Sequence, residues 1–193
     1  SFNPEPFDAI AFGPGAGKHD DTARVLKNLI QSVQAPLLID ADGLNLLAEN
    51  PTWLAFLPKG TVLTPHPGEL DRLCGKVTNA YDRLMNAREL SRKTGAVVVL
   101  KGAFTAVCSP SGDVFFNSTG NPGMAKGGSG DILSGIITAL LARGYSPVQA
   151  ARAGVFIHGL AGDIARENYG YTAMHASDII NSLPQAWKCV EKG

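Results

Sequence analysis

Asp8-Ala9-Ile10-Ala11-Phe12-Gly13-Pro14-Gly15-Ala16-Gly17 opens the stretch whose reading decides the fold: a short apolar run meets a glycine knot, and an amphipathic pattern follows. Asp20 or Asp21 is placed to cap a helix over residues 20–34, with Val25, Leu26, Leu29, Ile30 and Val33 on one face. Pro36-Leu37-Leu38-Ile39 is a second strand, ended by Asp40-Ala41-Asp42-Gly43 before a short helix over residues 44–49. Thr61-Val62-Leu63-Thr64 is a third strand, closed by Pro65-His66-Pro67-Gly68-Glu69. A helix over residues 80–94 then leads into Ala96-Val97-Val98-Val99-Leu100, the strongest strand of the chain. Strands alternating with helices in this way imply a parallel sheet.

Working outward, residues 104–108 and 113–117 read as an antiparallel hairpin across Ser109-Pro110-Ser111-Gly112. Helices follow over residues 130–142, 147–167 and 176–188. No repeat or linker divides the 193 residues, so one α/β domain over residues 1–193 is expected. The 22 glycines and 12 prolines are concentrated in a few knots between strands and helices rather than spread as low complexity. With 17 basic and 17 acidic residues the net charge is zero, which argues against a nucleic-acid or polybasic membrane partner. Apolar runs such as residues 132–141 fall short of the roughly 20 residues that span a bilayer. Ser1-Phe2-Asn3-Pro4-Glu5 has no secretory pattern, and Cys74, Cys108 and Cys189 form no CxxC pair. Reduced thiols and a cytoplasmic location are therefore expected.

In open α/β sheets, ligands bind beyond the carboxyl ends of the strands. Every knot follows an expected strand or opens a helix, so the knots should meet at one edge, which points to an enzyme. Gly13-Pro14-Gly15-Ala16-Gly17-Lys18 fits neither nucleotide fingerprint. Phe12 and His19 stand where a P-loop needs glycine and a hydroxyl, and Lys18 takes the third glycine position of GxGxxG. A tight turn remains, either open to close approach of a ligand or a plain connection.

Asn121-Pro122-Gly123-Met124-Ala125-Lys126-Gly127-Gly128-Ser129-Gly130-Asp131 is more informative, because it runs into the apolar helix Ile132-Leu133-Ser134-Gly135-Ile136-Ile137. Small residues at a helix N-terminus leave N–H groups free beside the positive end of the helix dipole, which makes an anion site. Asp131 would be a catalytic base there. Helix capping alone accounts for its carboxylate but not for the glycine density. Lys101-Gly102-Ala103-Phe104-Thr105 could meet phosphate or ribose, or simply end a strand in solvent. Asp40 and Asp42 would point the same way in an extended segment and organise Mg²⁺, or form an Asx-turn and a cap. Two prolines stiffen residues 65–69 and present His66 and Glu69 outward. His158 and Asp163, within an apolar helix, read as core residues or as supports behind the site.

Asp40-Ala41-Asp42-Gly43-Leu44-Asn45, Thr64-Pro65-His66-Pro67-Gly68-Glu69, Lys101-Gly102 and Gly120-Asn121-Pro122-Gly123-Met124 through Gly127-Gly128-Ser129-Gly130-Asp131 follow in that order. Together they resemble the ADP/ATP-dependent NAD(P)H-hydrate dehydratases, over residues 7–186. The resemblance implies a ribokinase-like α/β fold, with a central, mostly parallel sheet flanked by helices and a β-hairpin before the C-terminal helices. It implies a metabolite-repair lyase. A reduced nicotinamide that has taken up water at ring C6 is phosphorylated on that hydroxyl by ADP or ATP with Mg²⁺, and elimination of phosphate restores NADH or NADPH. On this resemblance Asp131 is the base and Gly128, Ser129 and Gly130 form the anion hole. Lys101, Gly102, Ala103, Phe104, Thr105 and Gly130 bind the adenine nucleotide. Gly15, His66 and Asp131 meet the hydrated dinucleotide, and Asp42 and Glu69 help place Mg²⁺. A histidine at position 66, where related kinases carry asparagine, leans toward ADP as donor.

Two departures qualify the resemblance. The family domain has a preceding portion with further strands, so a truncated domain with an open sheet edge is expected, and with it a homo-oligomer. The first knot also continues as Ala16-Gly17-Lys18-His19 rather than in the commoner leucine form. Two other functions stay open at this point: a small-molecule kinase of the same fold, and a fragment that binds nucleotide without turnover.

Overall fold

Leu37, Leu38 and Ile39 are each 1% exposed or less, and they alternate between two apolar clusters, one on each side of the sheet. A strand buried on both faces is the interior of a parallel sheet covered by helices. In the computed structural model, which describes residues 6–191, that sheet has six strands in chain order. They are β1 (Ile10–Phe12), β2 (Leu37–Ile39), β3 (Val62–Leu63), β4 (Val97–Leu100), β5 (Ala106–Cys108) and β6 (Val114–Phe116). β1 to β4 run parallel, while β5 and β6 are antiparallel to their neighbours.

Helices α1 (Asp20–Ser32), α2 (Asp42–Glu49), α3 (Pro67–Cys74) and α4 (Ala80–Thr94) share one layer. Their buried leucines and isoleucines, Leu26 to Leu90, meet Leu37, Ile39, Leu63 and Val98. On the other face α5 (Ser129–Ala142) and α6 (Pro147–Ala173) cover Leu38, Val62, Val97 and Val99, and α7 (Ala176–Glu191) packs on both helices. α6 is interrupted at Gly170, where φ is 72°.

Several boundaries differ from expectation for local reasons. α1 is capped by neither aspartate: His19 is its N-cap and makes no side-chain bond, while Asp20 and Asp21 lie in the first turn, where the dipole favours them. The segment after β3 is not an outward loop. His66 caps α3 through a reciprocal box with Glu69, and Pro67 fills the first helical position. A 3₁₀ turn over Pro51–Phe56 was likewise unanticipated.

Cys74, Cys108 and Cys189 are free, and burial pushes the thiols of Cys74 and Cys108 up to about 11. Among the described residues no helix is long and apolar enough to cross a membrane.

Candidate active site

The parallel strands deliver their following residues to one edge: Gly13 after β1, Asp40 after β2, Thr64 after β3 and Lys101 after β4. Gly13 has φ +130°, and a Cβ there would lie 1.8 Å from the Asp40 carbonyl oxygen, so only glycine allows the first two knots to meet. Gly15 has φ +66° with open space around it. Gly17 donates its N–H to the Asp42 carboxylate at 2.9 Å.

Ala41 has φ 47° and is the only non-glycine with positive φ among the described residues. Its turn separates its neighbours, which corrects the extended reading of the Asp40–Asp42 segment. Asp42 enters α2 and faces Gly17, while Asp40 turns inward and is 1% exposed. Asp40 Oδ1 accepts from the Ala41 N–H at 2.8 Å and from Lys101 Nζ at 2.7 Å, and Oδ2 accepts from Ser134 Oγ at 2.7 Å. Lys101 is therefore not a strand end in solvent. Its side chain is 20% exposed and held by Asp40, with Glu69 at 3.9 Å.

Glu69 is 5% exposed, which corrects its expected outward placement, and it accepts the His66 N–H at 2.7 Å. The Nδ1 of His66 accepts from the N–H groups of Gly68 and Glu69 at 3.0 and 3.3 Å, and its Nε2 lies 3.4 Å from Glu69 Oε1 on a half-exposed side chain. The hydroxyl of Thr64, buried between the ends of β2 and β4, has no hydrogen-bond partner among the described residues. Past Lys101, Gly102 and Thr105 close a small turn on each other at 3.1 Å, and Phe104 stands out from it, 73% exposed.

The glycine-rich segment reaches this edge because α6 seats it. Asp163 accepts from the Gly120 N–H at 2.8 Å and from Asn121 Nδ2 at 3.0 Å, and Thr119 Oγ1 donates to the Phe156 carbonyl at 2.9 Å. Lys126 donates to the carbonyls of Thr172, at 2.8 Å, and Met174. Gly159 and Gly162 leave room for Thr119 and Met124, each of which a Cβ would approach to 2.2 Å. His158 Nε2 lies 3.3 Å from Ser129 Oγ, and burial lowers the pKa of His158 to about 4, so the ring is neutral at pH 7.

Gly128, with φ +88°, starts α5. The Ser129 N–H donates to the Lys126 carbonyl at 3.3 Å, whereas the N–H groups of Gly128, Gly130 and Asp131 make no backbone hydrogen bond among the described residues. A Cβ on Gly130 would sit 3.5 Å from Lys101 Nζ, so the ammonium lies against the opening turn of α5. Asp131, next in the chain, is exposed, and among the described residues no hydrogen bond or ion pair engages its carboxylate. Free N–H groups and a fixed ammonium thus meet at the first turn of α5, the turn that also carries Asp131, an arrangement suited to holding an anion.

The expected Mg²⁺ ligands are less well matched. Among the described residues no group of three or more His, Cys, Asp or Glu is placed to hold a metal ion. Asp42 is engaged by Gly17, and Glu69 by His66. That fits an ion carried chiefly by phosphate oxygens, with at most one or two protein carboxylates, rather than a protein-made cage. A cleft of 720 Å³ lined by Phe115, Phe116, Tyr145 and Phe156 lies between β6 and α6, and no residue of the glycine knots lines it.

Sequence reasoning missed Ser134, the tie between His158 and Ser129, and Lys126 as an anchor. A hydroxyl within the apolar run Ile132 to Leu141 was the available signal for Ser134.

The NAD(P)H-hydrate dehydratase family profile matches residues 3–185. The chain is 43% identical over 187 residues to the bifunctional NAD(P)H-hydrate repair enzyme of Thermofilum pendens, covering 96% of this chain and 36% of that protein. It is 42% identical over 174 residues to the ADP-dependent (S)-NAD(P)H-hydrate dehydratase of Neisseria meningitidis, covering 88% and 59%. The chain thus spans less than two thirds of these relatives. Among solved structures, the ADP/ATP-dependent NAD(P)H-hydrate dehydratase of Bacillus subtilis, co-crystallised with ATP and Mg²⁺, superposes with a TM-score of 0.81 at 31% identity, covering 94% of this chain and 64% of that one. The fold is ribokinase-like, and the chain belongs to the NAD(P)H-hydrate dehydratase family.

Proposed function

We propose that this chain carries the phosphoryl-transfer site for nucleotide-dependent dehydration of hydrated NADH and NADPH. One observation carries the reading: the first turn of α5, where the N–H groups of Gly128 and Gly130 are unpaired among the described residues, lies against the Lys101 ammonium, and Asp131 stands in that same turn. Asp131 accepts the proton of the C6 hydroxyl as its oxygen attacks the terminal phosphorus of ADP or ATP. The bond from that phosphorus to the bridging oxygen breaks, and the shortened nucleotide leaves. The N–H groups of Gly128 and Gly130, with Lys101, face the charge on the moving phosphoryl group. Mg²⁺ arriving with the nucleotide would supply charge neutralisation at the phosphates, with Asp42 and Glu69 the carboxylates assigned to help hold it. Phosphate then departs from C6, and loss of a proton from the adjacent ring carbon restores the double bond. Gly15, in open space at the first knot, and His66 Nε2 are the contacts we assign to the hydrated dinucleotide.

Incubation with hydrate, Mg²⁺ and ADP or ATP is expected to restore dihydronicotinamide absorbance and release inorganic phosphate in equal amounts. Asp131→Asn should lower turnover at least ~100-fold, within the range of a lost general base. A stable phosphorylated product without phosphate release would instead identify a kinase. Full activity in Asp131→Asn would remove the assigned base.

A further inference from the structure

We propose that Asp40 is a positioning residue that acts through Lys101, fixing its ammonium under the first turn of α5 before any phosphate arrives. The inference deepens the phosphoryl-transfer reading and rests on it. Asp40 continues the alternation of β2 onto the Leu38 side of the sheet, and Lys101 follows Val97 and Val99 onto the same side, where α5 packs. The Asp40 carboxylate is 1% exposed and receives three donors, from Ala41, Lys101 and Ser134, so it has little freedom to swing. A lysine side chain ordinarily loses substantial rotamer entropy when a ligand orders it. Here that order is imposed by the fold, at 2.7 Å from a buried anion, rather than by the ligand.

The electrostatic consequence separates binding from turnover. Asp40 at 2.7 Å and Glu69 at 3.9 Å, two carboxylates against one ammonium, more than offset its long-range field. Lys101 therefore adds little to capture of a nucleotide at a distance. Its N–H groups act at short range, where charge moves during transfer. Asp40 should accordingly matter for kcat much more than for nucleotide affinity.

Two measurements test this, one of them independent of the dehydration reaction. Reductive methylation followed by peptide mass spectrometry reads how firmly each lysine is held. In the unsubstituted protein Lys101 should react at least ~10-fold more slowly than Lys93, whose side chain is 72% exposed. Asp40→Asn should raise the Lys101 rate at least ~10-fold, whereas Ser134→Ala, which frees α5 but spares the pair, should change it less than ~3-fold. Lys101 reacting as fast as Lys93, or responding equally to both substitutions, overturns the proposal whether or not the protein dehydrates anything. In the turnover assay Asp40→Asn should lower kcat ~10- to 100-fold with the nucleotide KM within ~3-fold. In a Lys101→Met background the same substitution should cost less than ~3-fold more. Full, independent losses from the two substitutions overturn the proposal while leaving dehydration by the parent protein intact. Absence of turnover in the parent overturns the functional reading instead.

Discussion

Gly159→Ala offers a sharp test of how α6 governs the glycine-rich segment. In a helix interior, replacing glycine by alanine ordinarily stabilises by about 1 kcal/mol. At position 159 the new Cβ would stand 2.2 Å from Thr119 Oγ1, 2.7 Å from the Thr119 carbonyl carbon and 2.8 Å from its oxygen. The hydroxyl can rotate away, but the carbonyl group is backbone. Reaching ordinary contact near 3.4 Å requires the backbone at Thr119 to retreat by about 0.6–0.7 Å. Overpacking of this kind costs about 1–3 kcal/mol, so the helix gain is cancelled or exceeded and the net change is a loss of up to about 2 kcal/mol. The displacement matters more than the stability. Thr119 leads through Gly120 and Asn121 into the turn that opens α5, and misplacing catalytic donors by about 1 Å can cost about 100-fold. We expect phosphate release at least ~10-fold slower, with a melting temperature unchanged or lower. Gly135→Ala is the matched control, because Gly135 lies in α5 with nothing within 4 Å of its would-be Cβ. It should raise the melting temperature by about 2–4 °C. A Gly159→Ala protein that is both stabilised and fully active would refute the reasoning.

His158 makes stability depend on pH. Burial, more than the nearby Lys101 charge, lowers its pKa from 6.5 to about 4. Above 6.5 neither the folded nor the unfolded ring is protonated, and stability is complete. As pH falls from 6.5 toward 4 only the unfolded chain takes up the proton, so up to about 3 kcal/mol is lost. Urea unfolding of His158→Gln, which keeps a polar partner for Ser129, should show a flatter profile across that window, and an unchanged slope would place the acid sensitivity elsewhere. We also expect self-association through β6, an edge of the sheet among the described residues on which Phe116 is 64% exposed. A monomeric mass by light scattering would contradict it.

The alternation of apolar strands and amphipathic helices made the parallel sheet legible, because periodicity records burial directly. Helix α4 was read at residues 80–94, the bounds the structure gives it, and Gly95 in the left-handed conformation closes it. α3 was hidden because histidine is an unusual N-cap, although Pro67 at the first position and Glu69 at the third were visible. The convergence of the knots followed from strand direction alone. What Asp40 does was not legible. Its partners Lys101 and Ser134 are 61 and 94 residues away, and the left-handed turn at Ala41 that aims it inward leaves no trace in composition. The outward placement of Glu69 failed because a two-proline loop and a helix start look alike until the cap is seen.

The distances along the chain between Asp40 and its partners bear on how the molecule assembles. Contacts that close loops this long are entropically late events in folding. A carboxylate removed from water before its ammonium and hydroxyl arrive carries a penalty of several kcal/mol. Collapsed states in which β2, β4 and α5 meet out of register strand that anion without company and are disfavoured for it. The same aspartate is therefore expected to disfavour near-native arrangements of the two halves of the chain, so that Asp40→Asn recovers more slowly or less completely on refolding; unchanged recovery would show that it does not.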